Sequence, residues 1–391
     1  MEQARNPYTP SAGQTPLAFV GRQAEIDAGD AIIQRTVNQR PARSIMLHGL
    51  RGVGKTVLLK ELQRQAEAAR WLTVEIEGKR DKQDRELTRR RLARGLVASA
   101  RTVSSRRDRF SKAWKEAMET LTSFSLHAGL VQVSLGVEAK PGRSDTGDLS
   151  LDMEELVADI APALTESKSG LAIYVDEIQD MDETTLSALL GAQHRAAQNN
   201  WPFFLFGAGL PNVPERLSAI RSYAERQFDY RSIGPLAGDD ARRALSEPAR
   251  RSGARYAEEA LSLLVAESGG YPYFIQVFGD QAWRLADRSP ISLTTARLAV
   301  AHGTAELDES LFASRWARTS RGEREFMAAM AQDEATSAVA DLMDRLGKAK
   351  PSDISTIRNA LIKKGLVWSP SRGTLAFSVP HMRRFILRHT D

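Results

Sequence analysis

The sequence predicts an α/β fold in which short apolar strands alternate with amphipathic helices, followed by a helical segment and a small C-terminal module. Three observations carry that expectation. Residues 44–48 are a short apolar run that leads into a glycine-rich string, Gly49 to Thr56, and then into a helical pattern from Val57. Residues 171–175 are a second apolar run, which ends in Asp176 and Glu177. From about Leu236 the apolar spacing becomes helical, and beyond residue 305 three helical stretches precede two short strands around a turn.

Composition sets the limits. The chain has 391 residues, enough for two or three domains at roughly 100–200 residues each. It is 42% hydrophobic and 26% charged, as globular proteins are. It has no cysteine, which excludes disulfides, thiolate catalysis, Cys-ligated zinc and iron–sulfur clusters. Six histidines, at positions 48, 127, 194, 302, 381 and 389, are too scattered to suggest a metal cluster. No N-terminal apolar run reads as a signal peptide. The uncharged stretch 196–214 contains three Asn and three Pro and makes a poor membrane span. The expectation is a soluble cytoplasmic protein with no membrane partner.

The net charge of +5 is unevenly placed. Residues 79–110 carry 12 Lys/Arg against 4 Asp/Glu, and residues 340–391 carry 10 against 4. Such stretches are either solvated helix faces or surfaces for a polyanion.

Taken in order, residues 1–16 read as an extended arm. The string Gly49-Leu50-Arg51-Gly52-Val53-Gly54-Lys55-Thr56 matches the phosphate-loop pattern G-x-x-x-x-G-K-S/T at every fixed position, and it sits between a strand and a helix as the chemistry requires. Glycines let backbone N–H groups turn inward around phosphates, and the helix N-terminus adds partial positive charge. Lys55 is placed to reach the β- and γ-phosphates, and Thr56 to ligate Mg²⁺. The nucleotide-lining set is Gly49, Leu50, Arg51, Gly52, Val53, Gly54, Lys55, Thr56 and Val57.

Residues 72–77 read as a second strand. Residues 85–122 read as two basic helices broken near 103–105, residues 123–139 as a β-hairpin and residues 140–147 as a loop. In the strand 171–175, the terminal Asp176 is placed to hold the Mg²⁺ shell and Glu177 to act as base on an attacking water. No Asn/Thr-Lys-x-Asp string for reading guanine occurs, which favours ATP over GTP.

On these motifs the chain resembles the AAA+/STAND branch of P-loop ATPases, in the bacterial and archaeal group related to origin-recognition ATPases. Phe19, Val20, Gly21, Arg22 and Glu25 resemble that family's F-V-G-R-x-x-E box, which implies adenine contacts for Val20 and Arg22. Residues 202–211 resemble the fourth core strand and its exit loop, and residues 222–228 the segment before the fifth. The resemblance implies a three-layer core with a parallel five-stranded sheet, a helical lid and a C-terminal winged helix. It also implies an arginine reaching a neighbouring subunit's γ-phosphate, with Arg226 the first candidate and Arg221 the second, and hence a homo-oligomer. The implied boundaries are 1–16 for the arm, 17–235 for the core with an insertion at 85–150, 236–304 for the lid and 305–391 for the winged helix.

Two departures matter. The end of the fourth strand reads Gly207-Ala208-Gly209, with none of the polar side chains that orient water in AAA+ relatives, so hydrolysis is expected to be slow. In place of a lid arginine, residues 269–276 resemble the G-x-P motif of STAND switches, which puts Pro272 near the adenine or ribose.

In the C-terminal module, residues 321–331, 339–346 and 352–364 read as helices, the last capped by Ser352. Ile354, Ile357, Leu361 and Ile362 give that helix an apolar stripe. Ser355, Arg358, Asn359 and Lys363 face the other way, and Arg372 lies in the turn between the strands; these types bond phosphates and base edges. The functional expectation is an ATP- and Mg²⁺-dependent ATPase whose nucleotide state controls binding of double-stranded DNA. The alternative is a STAND-type switch acting on a protein partner or by self-assembly, with the winged helix as an internal brake.

Overall fold

The computed structural model describes residues 1–11, 13–79, 84–103, 111–133 and 135–389, and the chain divides into two compact units. One comprises residues 23–48 and 55–232. The other comprises residues 1–22, 49–54 and 233–391.

The first unit runs α1 (Gln23–Val37), β1 (Ser44–His48), α2 (Lys55–Ala68), β2 (Leu72–Glu77), α3 (Asp84–Val103), α4 (Lys112–His127), α5 (Leu149–Glu166), β3 (Leu171–Asp176), α6 (Glu183–Asn199), β4 (Phe203–Gly209), α7 (Val213–Ile220), α8 (Ala224–Gln227) and β5 (Phe228–Ser232). The five strands form one parallel sheet in the order β2-β3-β4-β1-β5. The central strands β3 and β4 are buried along nearly their whole length, which is why they read as unbroken apolar runs. The edge strand β2 alternates buried and exposed residues. Alternation across β3 and β4 builds three layers. Leu171, Ile173, Val175, Phe203 and Leu205 join Leu156, Ile160 and Leu189 of α5 and α6 in one core. On the opposite face Tyr174 stacks on Phe206 at 4.8 Å, and its hydroxyl donates to the Leu62 carbonyl of α2.

The insertion departs from expectation. Residues 123–127 finish α4, and no strand follows among the described residues 128–139. The apolar stripe Trp114, Ala117, Met118, Leu121 and Phe124 keeps a helical period, and Ser111 caps it by accepting the Trp114 N–H. Small polar residues of α4 are buried: Thr120 donates to Asp159 on α5, and Ser123, in the segment read as a hairpin, donates to the Lys140 carbonyl. Part of the break expected near 103–105 lies outside the described residues. The basic insertion is also partly neutralised from within. Arg89 pairs with the fully buried Asp152, and Arg143 with Asp159.

The second unit continues as α9 (Gly238–Arg251), α10 (Glu258–Ser268), α11 (Pro272–Leu285), α12 (Leu293–Leu307), a π-helical turn at Asp308–Ala313, and α13 (Ser314–Ala317). It ends in α14 (Arg321–Ala331), β6 (Ser337–Ala338), α15 (Val339–Arg345), α16 (Ser352–Lys363), β7 (Val367–Trp368), β8 (Thr374–Phe377) and α17 (Met382–His389). The last strands form an antiparallel sheet in the order β6-β8-β7. The N-terminal arm is tied to the helices. Tyr8 is 3% exposed, packs on Gly279 and receives a hydrogen bond from the Tyr256 hydroxyl. Ser352 is not a cap: it is the first helical residue of α16, after Pro351, and Asp353 instead accepts the Lys350 N–H. Among the described residues no helix is long and apolar enough to cross a membrane.

His381 locks the C-terminal strands to the helices of this unit. Its ring sits 4.7 Å from Phe274, beside Tyr271. Arg384 bonds Glu267 and Arg388 bonds Asp308. Burial, aided by Arg384 and Arg388 and opposed by Glu267, lowers the His381 pKa to about 4. An unfolded histidine titrates near 6.5, so between pH 6.5 and 4 the unfolded chain takes up a proton that the folded chain refuses. Stability is therefore lost as pH falls through that window. Thermal melts of wild type should fall from pH 6.5 toward 4.5, and His381→Phe should flatten that decline.

Candidate active site

The sheet brings the predicted chemical groups together at the C-terminal ends of its strands. β1 leads into the glycine-rich loop, which ends at Lys55, the first residue of α2. Gly52 and Gly54 have φ of +80° and +90°, a backbone hand that L side chains rarely adopt. Lys55 is 9% exposed. The burial of His48 itself, and after it the Lys55 charge, lower the pKa of His48.

Thr56, half-buried, hydrogen-bonds through its side chain to Asp176 at the end of β3. Burial raises the Asp176 pKa, opposed by the Thr56 bond, the Glu177 backbone N–H and Lys55. The pair is therefore a hydroxyl and a carboxylate already in contact, in a partly dry site beside a cation. Such a donor set fits Mg²⁺, which takes one or two protein oxygens and completes its shell with phosphate and water. When bound, Mg²⁺ would neutralise developing phosphate charge. Among the described residues no cluster of three or more His, Asp or Glu could hold a metal.

Glu177 leaves β3 in a left-handed conformation, φ 47°. Its backbone N–H donates to Asp176 at 2.9 Å, and its carboxylate accepts from the Gln179 side-chain amide. Gln179 was not foreseen as a site residue. It is 7% exposed, and its carbonyl accepts the Leu210 N–H at 3.0 Å, just past the end of β4.

Val20 packs against the core of the second unit. Arg22 donates to the carbonyls of Gly21, Val53 and Gly234, so it braces the glycine-rich loop. Leu50 and Arg51 are half-buried, Val53 is buried and Val57 half-buried. Gly49 lies hard against the Ile233 carbonyl. Pro272 opens α11 next to Gly54, and the following Tyr273 N–H donates to the Gly52 carbonyl at 3.3 Å. The Arg51 N–H donates to the Ser378 carbonyl after β8, also at 3.3 Å.

Arg226 is exposed on α8, and Arg221 bonds Ser187. Both precede β5, whose first residue pairs with the first of β1. They thus lie toward the strand ends opposite those that carry Lys55 and Asp176. A hollow of about 780 Å³, lined by Arg35, Pro41, Arg43, Trp201 and Phe203, lies at the same strand ends, where β1 and β4 begin. In the C-terminal module, Ile354 and Leu361 are buried as expected. Ser355 and Arg358 are half-buried, and Asn359, Lys363 and Arg372 exposed.

Residues 18–206 match the AAA ATPase domain. Residues 309–386 match a domain of unknown function (DUF8462). No curated protein matches the sequence. Among solved structures, a Walker-type ATPase of Pyrococcus abyssi is similar with a TM-score of 0.59 at 14% identity, over 94% of this chain and 96% of that one. The Aeropyrum pernix ORC1 protein in complex with DNA gives 0.45 at 14% identity, over 96% and 94%. The Aeropyrum pernix ORC2 protein gives 0.46 at 14% identity, over 97% of each chain. The fold is that of P-loop AAA+ ATPases, and ATP with Mg²⁺ is the substrate class that an AAA ATPase domain takes.

Proposed function

We propose that this chain hydrolyses ATP, and that its nucleotide state controls binding of double-stranded DNA through residues 305–391 acting as a winged helix. Residues 17–235 serve as core and residues 236–304 as lid. One observation carries the reading: the backbone of the phosphate loop is hydrogen-bonded both to α11, through Gly52 and Tyr273, and to the end of the C-terminal sheet, through Arg51 and Ser378. A loop that tightens around phosphates therefore pulls on the segment that presents α16.

The chemistry follows the residues. Lys55 binds the phosphates, Thr56 and Asp176 hold Mg²⁺, and Glu177 takes the proton of the attacking water. Val20 and Pro272 flank the base, and Arg226 serves a neighbouring copy. Ser355, Arg358, Asn359, Lys363 and Arg372 meet the DNA backbone and base edges. The triple variant Arg358→Ala, Lys363→Ala, Arg372→Ala should weaken duplex binding. It should also lower the slope of log affinity against log salt by about 2–3, at about 0.9 per phosphate contact. Titrations at several salt concentrations decide this, and an unchanged slope would count against the assignment.

The Arg51–Ser378 bond also favours a second reading, in which the C-terminal module is an internal brake held on the loop until ATP binds. ATP-dependent assembly in light scattering without DNA would select it. The output would then be a protein partner or self-assembly.

A further inference from the structure

The end of β4 carries no polar side chain, and the structure gives the reason. A Cβ on Gly209 would lie 2.3 Å from Oε1 of Gln179 and 2.5 Å from Cγ2 of Val213. The space where a strand-end side chain would stand is already filled by Gln179, which arrives from the turn after β3. Its amide has only one orientation that satisfies both neighbours. The carbonyl must face the Leu210 N–H, and the NH₂ must face the Glu177 carboxylate. Gln179 is therefore a buried bridge between the base and the tip of β4.

We infer that Gln179 is the positioning residue for Glu177, supplying from the β3 turn the polar group that β4 lacks. This rests on the ATP-hydrolysis reading above. The physical reason is geometric. Glu177 is itself in the left-handed conformation at the start of a short turn, so its carboxylate needs a second anchor to be held toward a water. The NH₂ of Gln179 provides one, and the Leu210 bond fixes Gln179 in turn. Movement of the β4 tip is then transmitted to the base through one side chain. Glycine at 209 is required rather than deficient.

The test compares ATP turnover and binding of a non-hydrolysable ATP analogue across wild type, K55A, E177Q, Q179L, Q179E and E177Q/Q179L. Q179L removes both hydrogen bonds. Q179E is isosteric and keeps the acceptor for Leu210, but replaces the donor to Glu177 with a second carboxylate. Both should lower kcat about 100-fold, the scale of a roughly 1 Å misplacement of a reacting group. Analogue affinity should stay within about twofold, since only a transition-state contact is lost. In the E177Q background, Q179L should cost nothing further, because its effect passes through Glu177. Wild-type kcat in Q179E, an equal loss in the E177Q background, or a loss of analogue affinity matching the loss of kcat would each overturn the inference. Failure of the underlying reading looks different: wild type would turn over ATP no faster than K55A.

Discussion

Replacing Glu177 with glutamine will lower ATP turnover about 10²–10⁴-fold, the usual contribution of a positioned general base, while ATP binding persists. The substitution keeps the shape and the bond to Gln179 and removes only the ability to take a proton. Asp176, one residue earlier, cannot substitute: its carboxylate is committed to the Thr56 hydroxyl and the Glu177 N–H. Single-turnover measurements should therefore find ATP held and uncleaved. Turnover equal to wild type would remove Glu177 from the mechanism.

Lys55→Ala has a different signature. Lys55 is buried at the N-terminus of α2, where its ammonium adds to the helix's partial charge. A hydrogen bond between charged groups is worth about 1.5–3 kcal/mol, so affinity for ATP should fall about 10–150-fold and turnover should reach background. The same variant should also raise the pKa of His48, which the Lys55 charge holds down. NMR titration of that ring checks that the lost affinity comes from the missing cation. Retained ATP affinity in Lys55→Ala would contradict the phosphate-loop assignment.

What could be read from sequence was local. The phosphate loop and the Asp176–Glu177 pair are contiguous strings, because backbone N–H groups and strand-end carboxylates must come from neighbouring residues. The strands β1, β3 and β4 announce themselves by apolar runs because they are buried on both faces. The misreadings came from non-local packing. Ser123 and Ser125 look like the exposed face of a strand, but both are buried in α4, where the stripe Trp114–Phe124 keeps a helical period. Gln179 stands two residues from Glu177 in plain view. Its role depends on Gly209, thirty residues further on, having no side chain. From sequence alone that glycine reads as a missing water-orienting group, although it is the vacancy that Gln179 fills. The bonds of Arg22 to the carbonyls of Gly21, Val53 and Gly234 likewise span distances that no local motif announces. The contact of Arg51 with Ser378 joins residues too far apart in the chain for any spacing rule to suggest it.

The central claim is that the phosphate loop and the C-terminal module act on one another. The most direct measurement is ATP turnover by the full chain with and without duplex DNA, using Lys55→Ala as the blank and the Arg358/Lys363/Arg372 triple alanine variant as control. Turnover that duplex DNA changes in wild type but not in the triple variant is the expected result. Turnover indifferent to DNA at concentrations that saturate binding would contradict it.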